Sequence, residues 1–233
     1  KQILYASTHL GGTDCPPPPP TTPQNARKYL WPIYDTYDIF VSDLGGKIVK
    51  RLTDAPGYDA EATVSPKGDK MVFTSTRNGD LDLYVMDLKS GKVRQITREL
   101  GYDGGAFFSP DGRKIVFRAS RPKTETETAE YKELLRQNYV APTNMEIYVC
   151  SADGSDLRQV TRLGKANWAP FYHPSGRKIV FSSNHASERG FNFHLYMINE
   201  DGTGLEQLTF ESNFNAFPMF SPDGKKIAFS SNR

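Results

Sequence analysis

One short motif returns four times along the chain and sets the fold. The copies are Ser65-Pro66-Lys67-Gly68, Ser109-Pro110-Asp111-Gly112, His173-Pro174-Ser175-Gly176 and Ser221-Pro222-Asp223-Gly224. Each is followed at a fixed distance by an apolar run: Met71-Val72-Phe73, Ile115-Val116-Phe117, Ile179-Val180-Phe181 and Ile227-Ala228-Phe229. Self-similarity at a spacing of 44 to 64 residues marks a propeller, a solenoid or an array.

Aligning the copies defines a unit of four strands, A to D. Strand A ends at the Ser-Pro-x-Gly turn, and strand B is the apolar run. Strand C reads Asp38-Ile39-Phe40-Val41, Leu83-Tyr84-Val85-Met86, Glu146-Ile147-Tyr148-Val149 and Leu195-Tyr196-Met197-Ile198. A glycine-bearing turn leads to strand D, which ends in Leu52-Thr53, Ile96-Thr97, Val160-Thr161 and Leu208-Thr209. Strand B is apolar at consecutive positions, the pattern of a strand buried on both faces. Propeller blades meet that condition because neighbouring blades cover both sides, whereas the repeats of a flat solenoid are shorter.

The pattern Ser221-Pro222-Asp223-Gly224-Lys225-Lys226-Ile227-Ala228-Phe229-Ser230-Ser231-Asn232-Arg233, with the strand C and Leu-Thr segments, resembles the TolB-type, WD40-like propeller repeat. The resemblance covers nearly the whole chain outside two insertions. The expected fold class is all-β: a β-propeller of four-stranded antiparallel blades, an incomplete piece of the six-bladed ring that the resemblance implies. The expected divisions are a partial blade at 1–53 with a loop insertion at 9–37, and blades at 54–97, 98–161 (insertion 121–145) and 162–209. A partial blade at 210–233 follows. No signal peptide is visible, and the chain starts inside a repeat.

Strand direction alternates, so the B–C and D–A loops share one face. All insertions fall in B–C loops, which makes that the expected working face. The blade-three insertion has good helix formers over Thr126–Gln137, with Tyr131, Leu134 and Leu135 on one side, and predicts a short helix. A lid packing on its own blade and a partner-docking helix are both open readings. The run Pro16–Pro20 in the blade-one insertion favours extended polyproline II geometry.

Comparing repeats also picks out candidate binding residues. Asp59, Asp103, Asn167 and Asn215 occupy equivalent positions just before strand A. His9, Arg77, Arg121, His185 and Arg233 occupy equivalent positions just after strand B. Both sets belong to the B–C face, and strand A is innermost, so the first set is expected to ring the mouth of the central channel. Asp59 goes with Arg77 and Asp103 with Arg121; where the acid becomes Asn167, the base softens to His185, while Asn215 with Arg233 departs from the trend. One reading is structural, with Asp or Asn tying local backbone and Arg bridging to it. The other is a rim that binds a peptide segment, a carboxylate or a cation. Four spread positions make a poor cage for calcium, and no metal or other cofactor is expected.

The charge balance of 29 basic and 27 acidic residues shows no basic stripe, so nucleic acid is not an expected partner. No apolar run reaches the length of a membrane span. Neither a Gly-x-Ser-x-Gly elbow nor a His-Glu-x-x-His motif occurs. Cys15 and Cys150 are read as unpaired thiols, with a disulfide left open. The expectation is a non-catalytic scaffold that binds a protein or peptide through the B–C loop face and channel mouth. Resemblance implies a bacterial, periplasmic cell-envelope setting and membership of a larger envelope complex. Two alternatives stand beside it: the gating propeller of a peptidase whose catalytic domain lies outside this chain, or a structural accessory subunit of a large complex.

Overall fold

The computed structural model describes every residue except Thr13, Pro23 and Ser212. The first sheet holds β1 (Gln2–Ser7), β3 (Asp38–Asp43) and β4 (Ile48–Arg51), with β2 (Trp31–Pro32) in the loop between its first two strands. The second runs in order β5 (Asp59–Val64), β6 (Lys70–Ser75), β7 (Asp82–Asp87), β8 (Val93–Gln95). The third runs β9 (Asp103–Phe108), β10 (Lys114–Ala119), β12 (Glu146–Ser151), β13 (Arg158–Gln159). Its long loop carries α1 (Glu125–Arg136) and β11 (Tyr139–Val140). The fourth is β14 (Asn167–Tyr172), β15 (Lys178–Ser183), β16 (His194–Asn199), β17 (Glu206–Gln207), and a final pair is β18 (Asn215–Phe220) with β19 (Ile227–Ser231). Each sheet is an antiparallel meander, the expected blade. The innermost strands β5, β9, β14 and β18 touch in succession, and no contact joins β18 or β19 to β1, β3 or β4, so the blades form an open arc.

The motif that repeats in sequence explains the meander. In all four turns the glycine takes a positive φ of 69° to 73°, which an L side chain adopts only at a cost. The glycine N–H donates to the Ser or His carbonyl at 2.8–2.9 Å, closing the turn. Where the first residue is serine, its hydroxyl accepts the N–H that opens strand B, from Lys70, Lys114 and Lys226 at 2.9–3.1 Å.

The apolar strand B residues Met71–Phe73, Ile115–Phe117 and Ile179–Phe181 are wholly inaccessible to solvent. Val72, Leu83 and Val85 of the second sheet meet Phe108, Ile115 and Phe117 of the third. Val116 and Val149 then meet Tyr172, Ile179 and Phe181 of the fourth. One core is thus laid down at each blade junction rather than at one centre. The strand D threonines have a use that pattern alone does not reveal. The hydroxyls of Thr53, Thr97, Thr161 and Thr209 accept the N–H of Ile39, Leu83, Ile147 and Leu195 at 2.8–2.9 Å, fixing the end of strand D to the start of strand C.

Each innermost strand of the later blades is bulged at the same place. Pairing slips at Ala60/Thr63, Gly104/Phe107, Trp168/Phe171 and Ala216/Met219. The bulged residues Glu61, Gly105, Ala169 and Phe217 all have φ between 49° and 59°. Only one of them is glycine, so the packing of neighbouring blades holds three ordinary residues in a strained region. At Gly105 there is a second reason for glycine: a Cβ there would lie 2.1 Å from Nη1 of Arg118. Gly105→Ala is expected to lower unfolding stability by about 2–4 kcal/mol, combining left-handed strain with overpacking. Chemical denaturation of the variant against the parent chain measures it.

Candidate partner-binding face

The two long B–C insertions meet. Trp31 and Pro32 pair with Val140 and Tyr139, and the Ile33 N–H donates to the Asn138 carbonyl at 2.7 Å. Asn25 Nδ2 donates to Gln137 at 2.9 Å, Lys28 pairs with Glu130 at 2.5 Å, and the buried Tyr139 donates its hydroxyl to the Pro19 carbonyl. Helix α1 begins at a reciprocal capping box between Thr124 and Glu127 and buries Tyr131 and Leu134. The Tyr131 hydroxyl reaches Asp80 of the second blade at 2.5 Å. The helix is therefore neither a lid on its own blade nor a free docking element. It joins a cap tying blade one to blade three across the top of blade two.

Beneath this cap lies one apolar cluster. Ile33, Tyr131, Val140 and Met145 from the insertions pack on Leu81, Tyr102, Ala166, Trp168 and Phe193 from the blade ends. Trp31 lies over the Arg118 guanidinium, 5.1 Å from ring centre to Cζ, and 5.4 Å from the Trp168 ring. Arg118, itself buried, is charge-paired with Glu61 of the neighbouring blade and contacts the Tyr102 hydroxyl at 2.5 Å. Glu61 also accepts the Gly105 N–H at 2.9 Å.

The matched polar residues sit at the B–C ends of their strands, but the acid and amide set does not line an open mouth. Asp59, Asp103, Asn167 and Asn215 are 0–1% exposed. Each is the first residue of its strand, and its side chain is enclosed at the blade end. Asp59 takes two contacts of 3.0 Å from Arg77, and Asp103 one of 2.6 Å from Arg121. Asn167 accepts from Ser183 at 2.7 Å and Asn215 from Ser231 at 3.0 Å. The basic set keeps some surface and covers an aromatic ring of strand B or C. Arg77 lies over Tyr84, Arg121 over Tyr148 and Arg233 over Phe229 at 4.9–5.2 Å. His185 lies 4.6 Å from Tyr196 and His9 4.3 Å from Phe40.

A third matched set escaped the sequence comparison, although its signal was present in the polar residue opening strand C. Asp38 pairs with Arg51 at 2.6 Å, Asp82 with Gln95 at 2.8 Å, and Glu146 with Thr161 at 2.6 Å. It explains the switch from Asp to Asn. Glu146 lies 3.1 Å from Nδ2 of Asn167, which also donates to the Met145 carbonyl at 2.8 Å. An aspartate there would put a second carboxylate against Glu146 with no cation, since the residue after strand B is His185. Burial, and then Lys165, hold that imidazole below its usual range. Asn167→Asp is expected to lose about 3–5 kcal/mol at pH 8, the cost of an unpaired buried charge, and to recover part of it at pH 5. Denaturant titrations at the two pH values test this.

Between blades two and three the acids are not relieved in this way. Burial, then the neighbouring Asp80, push Asp82 up to about 6. Complete burial pushes Asp103 up to about 7 against the pull of Arg121. Carboxyls raised on folding from an ordinary 3.8 bind more protons folded than unfolded. Their stability contribution is therefore present below that value and is lost as pH rises through 6–7. The depressed His185 acts in the opposite sense, losing stability as pH falls. Asp82→Asn, which removes one acid and leaves His185 in place, is expected to flatten any fall in Tm from pH 5 to pH 8 and to raise Tm at pH 8. Calorimetry of both proteins across that range checks it.

Both thiols are free; Cys15 is exposed, while burial pushes Cys150 up to about 12. Among the described residues no group of His, Cys, Asp and Glu is placed to hold a metal, and no helix is long and apolar enough to cross a membrane. Beside the cap, a cleft of about 580 Å³ opens between Tyr29 and the blade-four loop around Phe191.

Residues 33–129 match the family model described as the TolB beta propeller domain. No curated protein matches the chain. Among solved structures, TolB from Acinetobacter baumannii is 25% identical with a TM-score of 0.67, covering 84% of this chain and 43% of that one. A putative TolB from Agrobacterium tumefaciens is 26% identical with a TM-score of 0.63, covering 83% of this chain and 66% of that one. Hydrazine synthase from Kuenenia stuttgartiensis shares the fold at 16% identity and a TM-score of 0.66, over 99% of this chain and 35% of that one. This chain thus spans less than half of the Acinetobacter protein and just under two thirds of the Agrobacterium one.

Proposed function

We propose that this chain, built of TolB-type β-propeller repeats, is a non-catalytic scaffold that binds a protein or peptide partner in the bacterial cell envelope through its B–C face. The carrying observation is the cap. Two insertions absent from the other repeats join over one face, while the opposite face keeps only short turns. Plain repeats close their blade junctions without such loops, and variable loops on a rigid scaffold are where recognition concentrates. The likeness to TolB structures supports the envelope setting and a periplasmic location.

In this reading Asp59, Asp103, Asn167 and Asn215 hold the blade ends, and the part-exposed Arg77, Arg121, His9 and His185 belong to the contact surface around the cap. The serine–histidine contact at this face, Ser183 with His185 Nδ1 at 2.9 Å, has its serine buried and donating to Asn167, which favours binding over catalysis; the peptidase-gate and accessory-subunit readings have no observation of their own.

Photo-crosslinking tests the proposal. A photoreactive residue replaces Lys28 or Lys132 on the cap face in one pair of variants, and Lys89 or Lys225 on the turn face in another. Expected is one discrete adduct from the cap-face positions in envelope extracts, and none from the turn face. Adducts from the turn face alone would overturn the assignment.

A further inference from the structure

The cleft beside the cap has chemistry that the scaffold reading does not use. Its floor is a row of rings: Trp168 stacks on Phe193 at 4.4 Å, and Phe193 meets Phe214 edge-on at 5.7 Å. Its two walls are exposed aromatic side chains on separate loops, Tyr29 at 58% and Phe191 at 76% exposure. Large aromatic rings left in water on both sides of a cleft retain unspent stacking surface. The volume of about 580 Å³ falls in the range of small-ligand pockets.

The rim is cationic. Lys165 is held by the carbonyls of His185, at 3.1 Å, and Ser187, so its ammonium is fixed at the edge without neutralisation. Arg189 is exposed, and neither cation has a carboxylate partner among the described residues. Glu188 also lines the cleft, leaving an excess of one positive charge. A ring-lined slot with one spare cation complements an aromatic group bearing one negative charge.

We infer that this cleft binds the C-terminal aromatic residue of a peptide, with the ring between Tyr29 and Phe191 and the terminal carboxylate at Lys165 and Arg189. The inference rests on the partner-binding role of this face and names the partner's chemistry. Charge at the rim sets orientation, and ring contact provides the apolar burial.

The chain has two tryptophans, and both stand in or against this row of rings, Trp168 in the floor and Trp31 in contact with it. Intrinsic fluorescence therefore reports on the cleft. The probes are acetyl-glycyl-phenylalanine with a free carboxylate, its C-terminal amide, acetyl-glycyl-alanine and phenylacetate, titrated into the full chain at low salt. Expected is a saturable change for the first peptide, with at least fivefold weaker binding of the amide and of the alanine peptide. Phe191→Ala is expected to weaken binding tenfold or more, and Arg189→Gln to abolish the preference for carboxylate over amide. Both side chains are exposed, so the parent Tm is expected to be retained.

Equal affinity for acid and amide, or binding unchanged by Phe191→Ala, would overturn the inference. Phenylacetate binding as tightly as the peptide would overturn the peptide assignment in favour of a free aromatic acid. Cap-face crosslinking that persists in Phe191→Ala, without peptide binding, would sink this inference and leave the scaffold reading standing.

Discussion

The constraint on which everything else depends is that strand B of each complete blade is apolar on both faces. Phe73, Phe117 and Phe181 have no solvent-facing side to offer, so a blade cannot bury its own core. Stability resides in the junctions, where one blade's outer surface is the next blade's interior. Face-to-face stacking then brings the innermost strands close along the arc. Their crowding coincides with a bulge at the same position in each of the later blades, even where the residue is Glu61, Ala169 or Phe217 rather than glycine.

Burying strands so completely raises a second problem at their ends, where polar side chains and backbone groups leave water together. The B–C face solves it with repeated local closures: a threonine from strand D on the N–H of strand C, an acid or amide opening strand A, and a base over an aromatic ring. Charge is matched blade by blade. Two acids, Asp82 and Asp103, meet one arginine at one junction. At the next, Glu146 meets the amide of Asn167, and the base is a histidine. The change from Asp103 with Arg121 to Asn167 with His185 is thus electrostatic compensation within a dry blade end.

The cap is of another kind. It links repeats that are not neighbours, through a two-residue ladder, a row of aromatic rings and the Trp31 contact on Arg118. Arg118 sits in an apolar site because Glu61, reaching from the adjacent blade, and the ring of Trp31 both attend it. The cap, the bulge and the blade junction therefore meet at one guanidinium.

The sequence by itself determined the repeat, its four strands, the turn chemistry of Ser65–Gly68 and its copies, and a helix that falls within one residue of α1. Those features depend on local rules, such as the φ that glycine permits and the burial that a continuous apolar run demands, and four internal copies made them legible. Pairing of Asp59 with Arg77 was legible for the same reason. The inward turn of the acids, the meeting of two insertions about a hundred residues apart in Asn25–Gln137, and the cleft between Tyr29 and Phe191 were decided only by the tertiary structure. Insertions have no repeated copy to compare, and their pairing depends on how far each blade rotates from the last. That rotation is a property of side-chain packing between sheets, and no single strand encodes it.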